Sequence, residues 1–368
     1  MPERTPGALA GITVVDLSRV LGGPYATQIL GDHGADVLKV EPPQGDETRT
    51  WGPPFRDGSS AYFAGVNRNK RGLVLDLKTD AGRAALLGLL EGADVLVENF
   101  KTGTLEGWGL GALTTRFPRL VHCRISGFGA DGPLGGLPGY DAAVQALTGL
   151  MTINGAAGGE PVRLGVPAVD MASGLNAALG ILLALHERQS SGRGQFVDIA
   201  LFDCALSILH PHAANFLGGG ALPGRSGNAH PNIAPYETFP TARGELFLAV
   251  GNDGQFAKLC AMLGHDLAAD PRFATNPLRV ANRMALHEAL VALLVDQEAE
   301  PLAARLLAGG VPAAPVLDVA EALAHPHTAH RAMIVAGEFP SIASPVKLDR
   351  TPATYRLPPP TGPVRKGQ

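Results

Sequence analysis

The sequence predicts an α/β fold: a doubly wound, Rossmann-like large domain joined to a smaller α+β domain. Across the first half, short apolar, β-branched runs alternate with helical patterns, as in a parallel sheet wound with helices. The chain has 368 residues, 45% of them hydrophobic, which is core enough for two lobes. A change of texture follows at "FLGGGALPGRSGNAHPNIAPY" (216–236), whose density of Gly, Pro and Asn marks a linker or functional loop.

Taken in order, "ITVVD" (12–16) reads as the first strand, ending at Asp16. A Gly-rich turn follows, and Pro24 opens a helix, where its missing N–H costs nothing. "ADVLKVE" (35–41), "GLVLDL" (72–77), "ADVLVENF" (93–100) and "RLVHCRIS" (119–126) read as further strands, with a helix near 80–91. Helices are expected at about 139–150 and 168–190, and "QFVDIALFDCALSIL" reads as a strand leading into another helix. Ligands of such a sheet sit beyond the carboxyl ends of its strands. The expected domains are 1–215 (large, ligand-binding), 216–236 (linker and active-site loop), 237–312 (small) and 313–368, a segment returning to the large domain. The "LPPPTGP" tail is expected to be extended.

A net charge of −4 with scattered basic residues offers no footprint for nucleic acid. Three cysteines, Cys123, Cys204 and Cys260, are odd in number and lack ligand spacing, so neither a disulfide framework nor a zinc site is expected. A reducing cytoplasm is the natural compartment. "MPERTPGALAG" carries no signal-like apolar run, and Leu175–Leu185 reads as too short to span a bilayer. His122, His210, His212 and His230 form no metal-binding helical pair, and no GxSxG elbow occurs.

Asp170 follows Pro167 in the first turn of the long helix. Acids there commonly serve only to satisfy backbone donors. The same place, beside unpaired amides and the positive end of the helix dipole, would keep a carboxylate ionised and oriented, fit to act as a nucleophile. The turn before Pro24, with Glu41 ending the second strand, invites a dinucleotide reading, yet GxGxxG spacing is absent. Arg68, Lys70, Arg71 and Lys78 flank one strand, where they could bind phosphates or form a solvated turn. Asn99 and Phe100, at a strand's carboxyl end, suit a heterocycle with a polar edge or a simple turn.

The stretches "VVDLSRVLGGPYATQILGDHGADVLKVE", "NRNKRGLVLDLK", "ADVLVENF", "ISGFG", "GYDAAVQALTGLM", "VDMASG" and "GRGQFVDIALFD" together resemble the class III CoA-transferase family, from about residue 8 to beyond 330. The resemblance implies that Asp170 is the family's nucleophilic aspartate. It places Leu21, Gly22, Leu75, Lys78, Asn99, Phe100 and Tyr140 where members contact coenzyme A. Two arginines of formyl-CoA transferase are replaced here by Pro42 and Gly107, so phosphate pairing would fall to Arg49, Arg68, Arg71 or Lys101. An interlocked homodimer is also implied.

The implied reaction moves CoA from an acyl-CoA to a carboxylic acid through aspartyl anhydride and thioester intermediates, with no metal and no cofactor beyond CoA as co-substrate. The glycine run of formyl-CoA transferase is replaced by "GNAHPNIAPY", so formate or oxalate is not the expected acid. His230 and Asn232 would meet a larger one, a dicarboxylate of the succinate type, unless they only build a turn. An α-methylacyl-CoA racemase of the same family is the alternative, but Tyr140 stands where racemases carry histidine, and an ordinary phenol is a poor base at neutral pH. A non-catalytic CoA-binding partner subunit is the third reading, and the presence of Asp170 argues against it.

Overall fold

The computed structural model describes residues 6–56 and 58–362, which divide into two compact units. The first holds residues up to 148, 164–208 and 326 onward. Its strands are β1 (Thr13–Asp16), β2 (Asp36–Glu41), β3 (Lys70–Val74), β4 (Val95–Glu98), β5 (Val121–Ser126) and β6 (Phe196–Ala200). All pair in parallel in the spatial order β3-β2-β1-β4-β5-β6. The order reverses between β1 and β4, which opens a crevice beyond their carboxyl ends.

Its principal helices are α1 (Gly22–Asp32), α2 (Asp80–Leu90), α3 (Asp141–Leu147), α4 (Ala168–Ser191) and α5 (Leu201–Ser207). Val15, Val40 and Leu96 of the sheet share a core with Leu86 and Leu90 of α2. α4 packs on β5, β6 and α1. Glycines set that approach: a Cβ at Gly174 would fall 2.7 Å from the carbonyl oxygen of Gly22. At 24 residues α4 is longer than the 175–185 stretch suggested, and by length and composition it could cross a bilayer. Leu175, Leu179 and Leu183 lie on its exposed side, with 52%, 54% and 61% of their surface accessible.

The third strand begins earlier than expected, because the basic cluster before it is not a solvated turn. Lys70 is buried and its Nζ donates to Asp16 (3.0 Å), Asn67 (2.9 Å) and the carbonyl of Pro24 (2.8 Å). Pairing Lys70 with Val37 on β2 extends the ladder back to this residue. Arg68 is likewise buried, held by both carboxylate oxygens of Asp32.

Residues 354–362 carry neither helix nor strand and run beside the outer strand β3; Pro363, the last residue of the tail stretch, lies outside the described residues. Asn69 holds this strap: its Oδ1 accepts the amides of Arg356 and Leu357, its own amide donates to Leu357, and its Nδ2 donates to Thr354. Arg356 reaches the carbonyls of Gly31 and Ala35.

The second unit holds residues 149–163 and 209–325. Its boundaries differ from those expected, which left 149–163 in the large domain and set 216–236 apart. The segment is pinned inside this unit by Arg225 donating to the carbonyl of Thr152 and Gly227 to that of Gly155. After α6 (His212–Leu217), an antiparallel sheet joins β7 (Tyr236–Pro240), β8 (Glu245–Ala249) and β9 (Ala313–Pro315), with β8 central. α7 (Asp253–Met262), α8 (Arg283–Leu294) and α9 (Ala299–Ala308) supply a core built around Phe239, Leu248, Phe256 and Leu290.

Candidate active site

The crevice at the reversal of strand order holds two clefts that share a wall. One, of about 230 Å³, is lined by Arg19–Gly22 after β1, Asn99–Thr102 after β4, Ser126 and Gly127 ending β5, Leu137–Tyr140, and Asp170. The other, of about 370 Å³, is lined by Leu75, Lys78 and Trp108 among others. Arg19, Phe100 and Lys101 line both. Every residue expected to meet coenzyme A therefore falls on this pair of clefts, as does Asp170.

The wall between them is built by the first strand's loop. Val20 is β-branched yet has φ +69°, a strained left-handed conformation that turns the chain into α1. Asn99 clamps the preceding residue from both sides: its Oδ1 accepts the amide of Arg19 (2.9 Å) and its Nδ2 donates to the Arg19 carbonyl (2.7 Å). The Asn99 amide is thus spent on backbone rather than offered to a heterocycle. Phe100 is fixed by its amide donating to Glu98 and by an edge contact of its ring with Trp108 at 5.5 Å.

Of the cations considered for phosphate pairing, three are committed elsewhere. Arg49 forms a two-pronged ion pair with Glu41 and reaches the carbonyl of Pro360, Arg68 pairs with Asp32, and Arg71 pairs with Asp36 at the surface. Glu41, in turn, is engaged by Arg49 and by the Asp46 amide. Lys101 remains, on both clefts, and Lys78 on the second. Arg19, which sequence reasoning overlooked, joins them, with a buried Nε that has no hydrogen-bond partner among the described residues. Its only signal was a lone base inside the Gly-rich turn.

Asp170 sits where expected, but its electrostatics do not. The first-turn amides of α4 are claimed by another residue: Asp141 Oδ2 accepts from Val169 (2.8 Å) and from Asp170 itself (3.0 Å). Burial first, and then the Asp141 charge, push the Asp170 carboxyl up to about 7. It is therefore not held ionised by the helix end, as the sequence suggested. Tyr62 is another neighbour the sequence did not reveal; burial, Asp170, Asp141 and Asp46 push its phenol up to about 12. Gly22 lets α1 approach the Asp170 backbone, since a Cβ there would meet the Asp170 carbonyl oxygen at 3.3 Å.

The sequence profile of CoA-transferase family III matches residues 9–363. The chain belongs to that family. It is 42% identical over 376 residues to the succinate–glutarate CoA-transferase of Agrobacterium fabrum, covering 98% of this chain and 94% of that one. Identity is 40% over 353 residues with the acetyl-CoA:oxalate CoA-transferase of Acetobacter aceti, across 94% and 90% of the two chains. A crystal structure of a CAIB/BAIF family protein from Brucella suis aligns with a TM-score of 0.86 and 43% identity, covering 96% of each chain. This class III CoA-transferase thus has an acyl-CoA and a carboxylic acid as its substrate classes.

His230 and Asn232 belong to the second unit, not to the clefts of the first. Asn232 Oδ1 accepts from Asn215 (2.8 Å), and the Asn232 amide donates to His230 Nδ1 (3.1 Å). The backbone around them is pinned as well, by Asn276 to the Asn232 carbonyl and by Arg283 to those of His230 and Ile233. Burial, followed by Arg283 and the neighbouring histidines, lowers the His230 pKa, so its ring is neutral at pH 7. Within this unit the two residues build a turn.

Proposed function

We propose that this enzyme moves CoA from an acyl-CoA thioester to a free dicarboxylic acid, with Asp170 as the nucleophile. The observation that carries the reading is Asp170 on the same cleft as Leu21, Gly22, Asn99, Phe100 and Tyr140. An Asp170 carboxylate oxygen attacks the thioester carbonyl; the C–S bond breaks, leaving a mixed anhydride and CoA thiolate. The thiolate attacks Asp170 Cγ, releasing the donor acid and leaving an aspartyl-CoA thioester. The acceptor carboxylate then attacks Cγ, expelling thiolate, which takes the acyl group and frees Asp170. No net proton is exchanged. The Gly22 and Gly23 amides that open α1, Gly22 lying against Asp170, would receive the tetrahedral oxyanions.

Dicarboxylates are favoured by the relatives named for succinate, glutarate and oxalate. The exposed leucines of α4 support an interlocked homodimer, since an apolar stripe of that kind calls for a covering surface. We place the enzyme in the cytoplasm and assign it no cofactor beyond CoA. Incubation with succinyl-CoA followed by peptide mass mapping tests the chemistry. An adduct at Asp170 supports it, and its absence in an enzyme that turns over refutes it.

Two expectations follow from the electrostatics. Attack requires the Asp170 carboxylate, so turnover of acyl-CoA should rise with pH through about 7 and level off above, in a rate profile from pH 5 to 9. Arg19, Lys78 and Lys101 are the cations on the clefts left for CoA phosphates. Arg19→Ala should therefore raise KM for acyl-CoA by about 10- to 100-fold, the loss of one charge-assisted contact, with little change in kcat. An unchanged KM would remove Arg19 from the binding site.

A further inference from the structure

We propose that Asp141 is a positioning residue for Asp170: a charged cap that fixes the start of α4 and drives Asp170 toward its acylated, uncharged form. The inference rests on Asp170 being the residue that takes the acyl group.

The geometry has two parts. Asp141 Oδ2 receives the amides of Val169 and Asp170, so the backbone that carries the nucleophile hangs directly on this carboxylate. Asp141 Oδ1 receives Gln145 Nε2 (2.5 Å), and Gln145, fully buried, accepts the Leu164 amide with its other end (2.9 Å). The first turn of α3 and the approach to α4 are thereby locked into one hydrogen-bonded frame. Asp141 is consequently unable to swing away when Asp170 carries charge.

Two carboxylates in so confined a place repel one another. The repulsion ends when Asp170 loses its charge, and acylation removes that charge as completely as protonation does. In the balanced exchange, Asp170 carboxylate plus acyl-CoA gives aspartyl-CoA thioester plus the free acid, and the negative charge leaves the site on the departing carboxylate. Asp141 thus favours the thioester for the same reason that it favours the protonated acid. Other groups face Asp170 as well: Tyr62 from residues 61–65, which is neutral, and Glu47, Arg19 and Lys101 on the cleft wall. None of these is bonded to the backbone of Asp170 as Asp141 is.

Asparagine separates the charge from the backbone cap, because its amide oxygen accepts the same two N–H groups without charge; it gives up the Gln145 bond, since its Nδ2 would meet Gln145 Nε2 donor to donor. Native enzyme, Asp141→Asn and Asp141→Ala would be compared by melting temperature, by the pH dependence of single-turnover CoA release from succinyl-CoA, and by the ratio of Asp170 thioester to free enzyme at a fixed succinyl-CoA to succinate ratio. Asp141→Asn should fold but melt a few degrees below the native enzyme for loss of the Gln145 bond, shift the acid limb down by about one pH unit and lower the thioester ratio about tenfold. Asp141→Ala should add a loss of single-turnover rate; should it fail to fold, the asparagine variant decides alone. A native acid limb and thioester ratio in Asp141→Asn would overturn the proposal, as would slowing in both variants with the limb unmoved. An active native enzyme with no adduct at Asp170 would overturn it together with the function proposed above, an outcome visible before any Asp141 variant is made.

Discussion

Replacing Asp170 by alanine or asparagine is expected to lower turnover by about 10³-fold or more while leaving CoA binding intact, as removal of a nucleophile does. The measurement is steady-state CoA transfer alongside equilibrium binding of CoA. Substantial residual transfer would remove Asp170 from the chemistry. Stability should move the other way. The folded protein holds the Asp170 proton up to about pH 7, whereas the unfolded chain gives it up near 3.8. As pH rises between those values, the unfolded state gains relative to the native enzyme. Asp170→Asn does not titrate and so escapes that loss. It should melt higher than native by about 2–4 °C at pH 8, with the difference vanishing toward pH 4.

A comparable effect on stability is expected at Asp16, beneath the β1 loop. Its carboxylate is fully buried and accepts from Ser18 Oγ (2.5 Å), the Ser18 amide (2.9 Å), Thr27 Oγ1 (2.6 Å) and Lys70 Nζ (3.0 Å). Burial alone would raise its pKa, but Lys70, Lys39 and the two hydroxyls outweigh it and hold the carboxyl down to about 2. Asp16→Ala strands the Lys70 ammonium in the core and should cost about 3–5 kcal/mol, measured by denaturant unfolding. The sign with pH is opposite to that at Asp170. Because the folded pKa lies below the unfolded one, this contribution is present above about pH 4 and is lost as pH falls toward 2. A loss under 1 kcal/mol would mean that Lys70 finds other compensation.

What could be read in the sequence is what local pattern determines. Runs such as Val14–Val15 and Val95–Val97 are fully buried in a parallel sheet, so the strands and their winding were legible. The family's spacing carried Asp170 and Tyr140 to one cleft. What was missed depends on partners on other elements, most of them far along the chain. Nothing near Arg49 or Arg68 indicates that Glu41 and Asp32 already hold them, so both looked available for phosphate. Lys70 looked solvated because Asp16, which draws it inward, lies 54 residues away. Asp170 looked ionised because the helix end beside it seemed vacant, and Asp141, which occupies that end, belongs to a different helix. Residues 149–163 show no periodicity that would separate them from the large domain.

The strap along β3 bears on the order in which the protein can be completed. Asn69 bonds to Thr354 across 285 residues, and between them the ribosome must deliver four more strands of the main sheet and the whole of the second unit. Until residues 354–360 emerge, the outer edge of β3 is uncovered, the kind of edge that recruits strands from other chains. The nascent protein therefore spends most of its synthesis with that margin bare, and its yield should depend on chaperone supply far more than the stability of the finished fold would suggest.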